Sequence, residues 1–219
     1  MGAACARLLL VRHGETAWNA VGRLQGQLDV PLSTTGMWQV GRLVDRLAAT
    51  EDDERISAVV ASDLARAWLT ARPLAERLAL ELRPDPRLRE RDFGRFQGHT
   101  LEEIAARWPD DFARWRERDP AWAIPAGESG QHFSERVLAA LAEIARDHAG
   151  HRVLVVTHGG VLDVVYRHAR ALTWDAPRHH LMLNCSINRV DATATPLAVE
   201  IVDWGDVAHL SGARDELPT

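Results

Sequence analysis

Cysteine is scarce in this chain: Cys5 and Cys185 are the only two among 219 residues. They stand far apart and in no Cys-x-x-Cys pattern, so neither a disulfide framework nor a zinc site organises the chain, and a reducing cytoplasm fits. Long apolar runs are lacking too. No segment approaches the roughly 18 residues that a membrane helix needs. The apolar run after Arg7 is too short for a signal peptide, and no hydrophobic region precedes Ala3-Ala4-Cys5-Ala6 to make it a lipidation signal. A cytoplasmic protein with no membrane attachment is expected. Excess positive charge is also missing: the net charge is -5 and the pI about 6.1. That argues against general nucleic-acid binding while leaving room for a local basic pocket. Internal repeats and low-complexity tracts are absent.

Hydrophobic residues, by contrast, make up 46% of the chain, enough for a sizeable core in a single domain over 1–219. The stretch around which the rest is organised is Leu8-Leu9-Leu10-Val11-Arg12-His13-Gly14-Glu15-Thr16. Four consecutive branched aliphatics have no polar face to offer water, so they read as a buried strand. The run ends in a cation, an imidazole and a glycine, at the carboxyl end of a strand, where open α/β sheets bind ligands. Arg12 carries a planar fork of donors suited to phosphate oxygens. His13 can act as a nucleophile once a neighbour fixes its tautomer. Gly14 lets the backbone turn and approach a ligand closely. Alone, the stretch reads equally well as a strand end with a surface arginine and a half-buried histidine. A second junction of the same kind changes that balance. The apolar strand Arg152–Thr157 ends in His158-Gly159-Gly160, and a helix over 161–169 follows at once. A helix N-terminus is an anion site, because its first amide protons are unpaired.

Residues 15–33 lack periodicity and read as a loop. Ser33 is placed to cap a helix whose apolar stripe is Met37, Val40, Val44 and Leu47. The acidic run 51–54 reads as a solvated turn. Ile56–Ala61 is a further strand, running into Ser62-Asp63, either of which can cap a helix to about 78. Arg66 lies in that helix's first turn, where it can point with Arg12 or simply face solvent. A short edge strand over 80–83 is ended by Pro84 and Pro86. In the loop that follows, Glu90 is a candidate general acid and Asp92 the second choice; either could equally pair with the neighbouring arginines. Residues 99–128 interleave Trp108, Phe112, Trp115 and Trp122 with Arg107, Arg114, Arg116 and Arg118. They predict two short helices and a proline-bounded loop, either a lid that selects substrate or an excursion whose tryptophans pack on the core. A long amphipathic helix over 130–148 shows Phe133, Val137, Leu141 and Ile144 on one face. Strands over 183–191 and 197–204 come last, with a loosely ordered tail from 205. His179-His180 reads as surface, since a metal role would need further ligands.

Arg12-His13-Gly14-Glu15-Thr16, Asn19, Ser62-Asp63-Leu64 with Arg66, Leu88-Arg89-Glu90 before Phe93-Gly94 and Gly98, and His158-Gly159-Gly160 together resemble the histidine phosphatase superfamily, and within it the phosphoglycerate-mutase-like branch. An Arg-His-Gly alone is weak; four blocks in order, each at a strand end or helix start, are strong. The resemblance implies a three-layer α/β/α sandwich with a mostly parallel sheet. It implies that His13 takes the phosphoryl group as phosphohistidine, and that Arg12, Arg66 and His158 surround its oxygens. Asn19 would add a hydrogen bond, Glu90 would protonate the leaving oxygen and later activate water, and Gln25, Ser62 and Gly159 would line the phosphate pocket. Phosphoryl transfer needs positioned positive charge on the equatorial oxygens and an in-line nucleophile and acid. Two arginines and a histidine supply that charge without metal or cofactor, and His158 is expected to be protonated once a phosphate dianion sits beside it. The motif Asp92-Phe93-Gly94 and the compact chain favour a phosphatase of small phosphomonoesters. The alternatives are a phosphoglycerate mutase and a non-catalytic phospho-ligand binding module. The edge strand near the C-terminus could pair with a second copy, but the sequence leaves the oligomeric state open.

Overall fold

The computed structural model describes residues 4–49 and 55–211. The acidic run 51–54 and the last eight residues lie outside them. In chain order the elements are β1 (Ala6–Arg12), α1 (Ala17–Ala20), α2 (Thr34–Ala48), β2 (Ile56–Ala61), α3 (Ala65–Leu78), β3 (Leu82–Pro84), α4 (Leu101–Arg107), α5 (Pro109–Glu117), α6 (Gly130–Asp147), β4 (Arg152–Thr157), α7 (Gly159–Ala169), β5 (Ile187–Ala194) and β6 (Leu197–Asp206).

The six strands form one sheet in the order β3-β2-β4-β1-β5-β6. Pairings from β3 through β1 are parallel; β5 is antiparallel to β1, and β6 to β5. The continuous apolar runs of β1 and β4 follow from burial on both faces, because successive side chains of a strand point to opposite sides. Leu8 and Leu10 of β1, with Val153 and Val155 of β4, pack against Phe133, Val137 and Leu141 of α6 and Val161, Leu162 and Val165 of α7. Leu9 and Val11, with Leu154 and Val156, pack against Val40, Leu43 and Leu47 of α2 and Ala67, Ala71 and Leu74 of α3. The result is the α/β/α sandwich with helices on both sheet faces. In β1 and β4, Arg12 stands opposite Thr157, so the two strand-to-histidine junctions emerge side by side at the middle of the sheet.

Several local expectations are corrected. Residues 15–33 contain a short helix, α1, closed by a capping box between Thr16 and Asn19. Ser33 does cap α2, but the buried stripe is Gly36, Val40, Leu43 and Leu47. Met37 faces outward, because the 36, 40, 43, 47 spacing follows the helical repeat more closely. Neither Ser62 nor Asp63 caps α3. The carboxylate of Asp29, from the preceding loop, accepts from the Ala65 amide at 2.8 Å, while Asp63 is taken by Arg89 at 2.5 Å. The strand expected from 183 begins at Ile187, because residues 183–186 make a turn with Cys185 in the left-handed region at φ 54°. The chain beyond 205 stays ordered through a 3-10 turn, Ala208–Leu210, that buries His209 and Leu210. His180 is not a surface residue: it is buried and stacked on Tyr166 at 3.9 Å. The tryptophan-rich excursion forms the two expected short helices. Trp108, Trp115 and Trp122 pack with buried Phe96, Ile104 and Ile124 in a satellite cluster of their own.

Candidate active site

His13 leaves β1 fully enclosed. Its backbone N–H donates to Thr157 O at 2.9 Å, and its carbonyl accepts from Asn184 Nδ2 at 2.8 Å. The ring's Nδ1 lies 2.7 Å from the Gly14 carbonyl. A carbonyl can only accept, so Nδ1 carries the proton and Nε2 keeps its lone pair. The Gly14 amide is in turn held by Thr70 Oγ1 at 2.9 Å, and Thr70 bonds back to Arg66 O at 2.7 Å. The imidazole of His158 lies alongside, with ring centroids 5.2 Å apart, and its Nε2 is 2.8 Å from Ser62 Oγ.

Two guanidiniums face these rings. Arg66, fully buried in the first turn of α3, donates to Leu28 O at 2.8 Å and Gly26 O at 2.6 Å. Gly26 sits at φ +54, and a Cβ there would meet Gln97 Oε1 at 2.0 Å, so glycine lets the loop offer that carbonyl without strain or displacement of Gln97. Arg12 donates to Met182 O at 2.5 Å, and Gly159 packs beneath it, its position for a Cβ 3.5 Å from Arg12 Nε. Burial pulls the Arg66 guanidinium down to about 10, with Glu90 and Asp29 opposing, so it stays charged at neutral pH. Burial, then the charges of Arg66 and Arg12, push the pKa of His13 well below 6.5. Burial and the charges of Arg66, His13 and Arg12 do the same to His158. Without a bound anion both rings are therefore neutral.

Glu90 closes the opposite side. Its Oε2 accepts from the Gly160 amide at 3.0 Å, in the first turn of α7, and its Oε1 from the Arg91 amide at 2.8 Å. Arg136 of α6 fixes the segment by donating to the carbonyls of Arg87, Arg89 and Glu90 at 2.7, 2.8 and 2.9 Å. Asp92 is the weaker candidate for the acid, because it closes its own loop, accepting from Gly94 N at 2.9 Å. The Asn19 oxygen accepts from the Thr16 amide at 3.0 Å, so what it can offer a ligand is its amide group. Gln25 is buried with its Oε1 unbonded among the described residues.

Arg12 and Arg66 thus act together on the adjacent imidazoles of His13 and His158, Glu90 acts in turn on Arg66, and Ser62, Gly159 and Gly160 abut His158, Arg12 and Glu90 respectively. Sequence reasoning missed Asn184, Thr70, Arg136 and the Met182 carbonyl. A buried asparagine just before a left-handed turn is the one signal that could have found Asn184. Among the described residues no group of three or more His, Cys, Asp or Glu is placed to hold a metal ion.

Residues 8–206 match the histidine phosphatase superfamily (branch 1). A metal-independent phosphoserine phosphatase of Arabidopsis thaliana is 38% identical over 206 residues, covering 93% of this chain and 83% of that protein. Phosphoglycerate mutase-like protein 4 of the same plant is 38% identical over 210 residues, 94% of this chain and 87% of its own. The solved structure of a mycobacterial glucosyl-3-phosphoglycerate phosphatase superposes with a TM-score of 0.74 at 31% identity, over 91% of this chain and 98% of that one.

Proposed function

Because the chain belongs to the histidine phosphatase superfamily, we propose that it hydrolyses small phosphomonoesters without a metal, through a phosphohistidine on His13. The observation that carries this reading is the commitment of His13 Nδ1 to the Gly14 carbonyl. It leaves a neutral, basic Nε2 beside two fixed guanidiniums. The Nε2 lone pair attacks phosphorus as the bond to the leaving oxygen breaks. Glu90, in its protonated form, gives its proton to that oxygen. Arg12, Arg66 and a His158 that becomes protonated beside the dianion hold the charge on the equatorial oxygens. In the second half the Glu90 carboxylate takes a proton from water, the hydroxide oxygen bonds to phosphorus, and the P–N bond breaks to return neutral His13 and inorganic phosphate.

Because relatives are named for phosphoserine and for glucosyl-3-phosphoglycerate, carboxylate-bearing phosphomonoesters are the first substrates to assay. The experiment is turnover of a phosphomonoester panel in chelator by wild type and His13→Ala. Metal-independent release of phosphate, lost in the variant, is expected. A wild type that isomerises a phosphoglycerate far faster than it hydrolyses it would move the reading to a mutase. Tight phosphate binding with no turnover would move it to a binding module.

A further inference from the structure

One buried carboxylate has no part in the chemistry above. Asp163 of α7 lies one turn beyond Gly159-Gly160, almost wholly buried. Two guanidiniums and an imidazole surround it: Arg167 Nε at 3.1 Å, Arg178 Nη2 at 2.9 Å and His180 Nε2 at 2.9 Å. Burial alone would raise its pKa, but His180, Arg178 and Arg167 outweigh burial and hold the carboxyl well below the usual range. It is ionised throughout the working range. A buried ion cluster is costly compared with apolar packing, so its position calls for an explanation.

What the cluster holds is the irregular segment between α7 and β5, residues 170–186. Arg167 also donates to the carbonyls of Thr173 and Ala176 at 2.6 and 3.0 Å. His180 lies between Asp163 and the Tyr166 ring, edge-on to Trp204, and Trp204 Nε1 donates to Leu181 O at 2.9 Å. The segment then passes directly to Met182, whose carbonyl receives the Arg12 guanidinium. Two residues later Asn184 holds the His13 carbonyl, and the Cys185 amide donates to Arg12 O at 3.0 Å. Without regular secondary structure of its own, the segment takes its position from these anchors.

We propose that Asp163 is a positioning residue for Arg12: its ion cluster with Arg167, Arg178 and His180 fixes the 170–184 segment so that the Met182 carbonyl aims the Arg12 guanidinium at the phosphoryl oxygens. The proposal rests on the phosphatase reading for the role of Arg12.

The test is a double-mutant cycle between Asp163→Asn and Arg12→Ala, read in two ways. One readout is kcat/KM for an aryl phosphate. The other is orthovanadate affinity followed by tryptophan fluorescence, which needs no turnover. In the wild-type background Asp163→Asn is expected to lower both by about tenfold or more, the scale of a displaced catalytic group. In the Arg12→Ala background the same change should cost less than about twofold. Arg178→Ala, which removes one half-exposed tether and leaves no buried carboxylate without a cation, should follow the same pattern with a smaller effect and carries the cycle if Asp163→Asn does not fold. Equal losses in both backgrounds, or lower kcat with vanadate affinity unchanged, overturn the proposal and leave Asp163 a purely structural residue. Absence of turnover in wild type would instead remove the phosphatase reading, while the vanadate cycle still decides the role of Asp163.

Discussion

At the scale of single residues, the site works by keeping two imidazoles neutral in a nest of positive charge. Burial and the two guanidiniums depress His13 well below 6.5, so the proposed nucleophile keeps its lone pair as the solution becomes mildly acidic. The acid limb of the kcat/KM profile that belongs to His13 should therefore fall below pH 6.5, and a profile bending at 6.5 or above would contradict this. The same depression has a consequence for folding. The unfolded chain protonates these rings as pH drops through about 6.5, the ordinary value, and the folded chain does not. Stability is thus full above 6.5 and declines as pH falls below it. Urea midpoints at pH 7.5 and 5.5 measure that decline, and His13→Asn should shrink it. Anion binding reverses the sign at His158, where a dianion favours the imidazolium. Vanadate binding near neutral pH should take up a proton, which appears in calorimetry as a heat that depends on the buffer. Arg12 and His13 stood out in the sequence because they end an apolar run at a strand end; Glu90 was one of two loop carboxylates, and only the resemblance gave it a role. Asn184 and Thr70 did not stand out, since the bonds that tie them to the His13-Gly14 turn span 171 and 56 residues and no local pattern marks them.

At the scale of elements, the N-terminus of α7 depends on a residue with no side chain. A Cβ on Gly160 would stand 2.1 Å from Glu90 Oε1. The atom that must yield is the end of a flexible side chain, so Gly160→Ala should fold. It should also displace Glu90, the proposed acid, and lose about a hundredfold in kcat/KM, with the far-UV circular dichroism unchanged. The start of α3 depends on a cap delivered from elsewhere. Asp29→Ala leaves the Ala65 amide without its acceptor and should cost about 1 kcal/mol in urea unfolding. Strands β1, β2 and β4 could be read from their apolar runs, and α6 from its stripe. The cap of α3 could not, because Ser62-Asp63 has the right local chemistry while the competing partner Arg89 claims Asp63. Likewise β5 starts late because the turn at Asn184-Cys185 is recruited to hold the end of β1, a demand of tertiary structure that strand propensity does not register.

At the scale of the whole molecule, the pocket is drawn from β1, the 24–29 loop, α3, the segment around Glu90 and the start of α7, and it exists only when the sheet is assembled. A bound anion should therefore stabilise the fold as a unit. At a hundred times its Kd, vanadate adds about 2.7 kcal/mol, which for a chain of this length raises Tm by about 5–10 °C. A smaller shift in His13→Ala, read by thermal denaturation, would tie the effect to this pocket. All 26 basic residues are arginines and none is lysine. Buried Arg66 and Arg91 can thus be pulled down by burial and still carry their charge at neutral pH. Composition suggested a globular chain with room for a local basic pocket. The strand order, with β1 central and β5-β6 turned back against it, is fixed by long-range pairing that no local signal marks; the resemblance implied only a mostly parallel sheet.

The pairing of Arg12 with Thr157 across parallel strands puts His13 and His158 on the next rung of one ladder. The backbone spacing of these two histidines is therefore set by the sheet, close to the roughly 4.8 Å between neighbouring strands, and side-chain substitution has little leverage over it. That spacing survives a change of side chain but not a change in the number of residues. Deleting any one residue from the middle of β1 would shift the rung and turn every side chain beyond it to the other face.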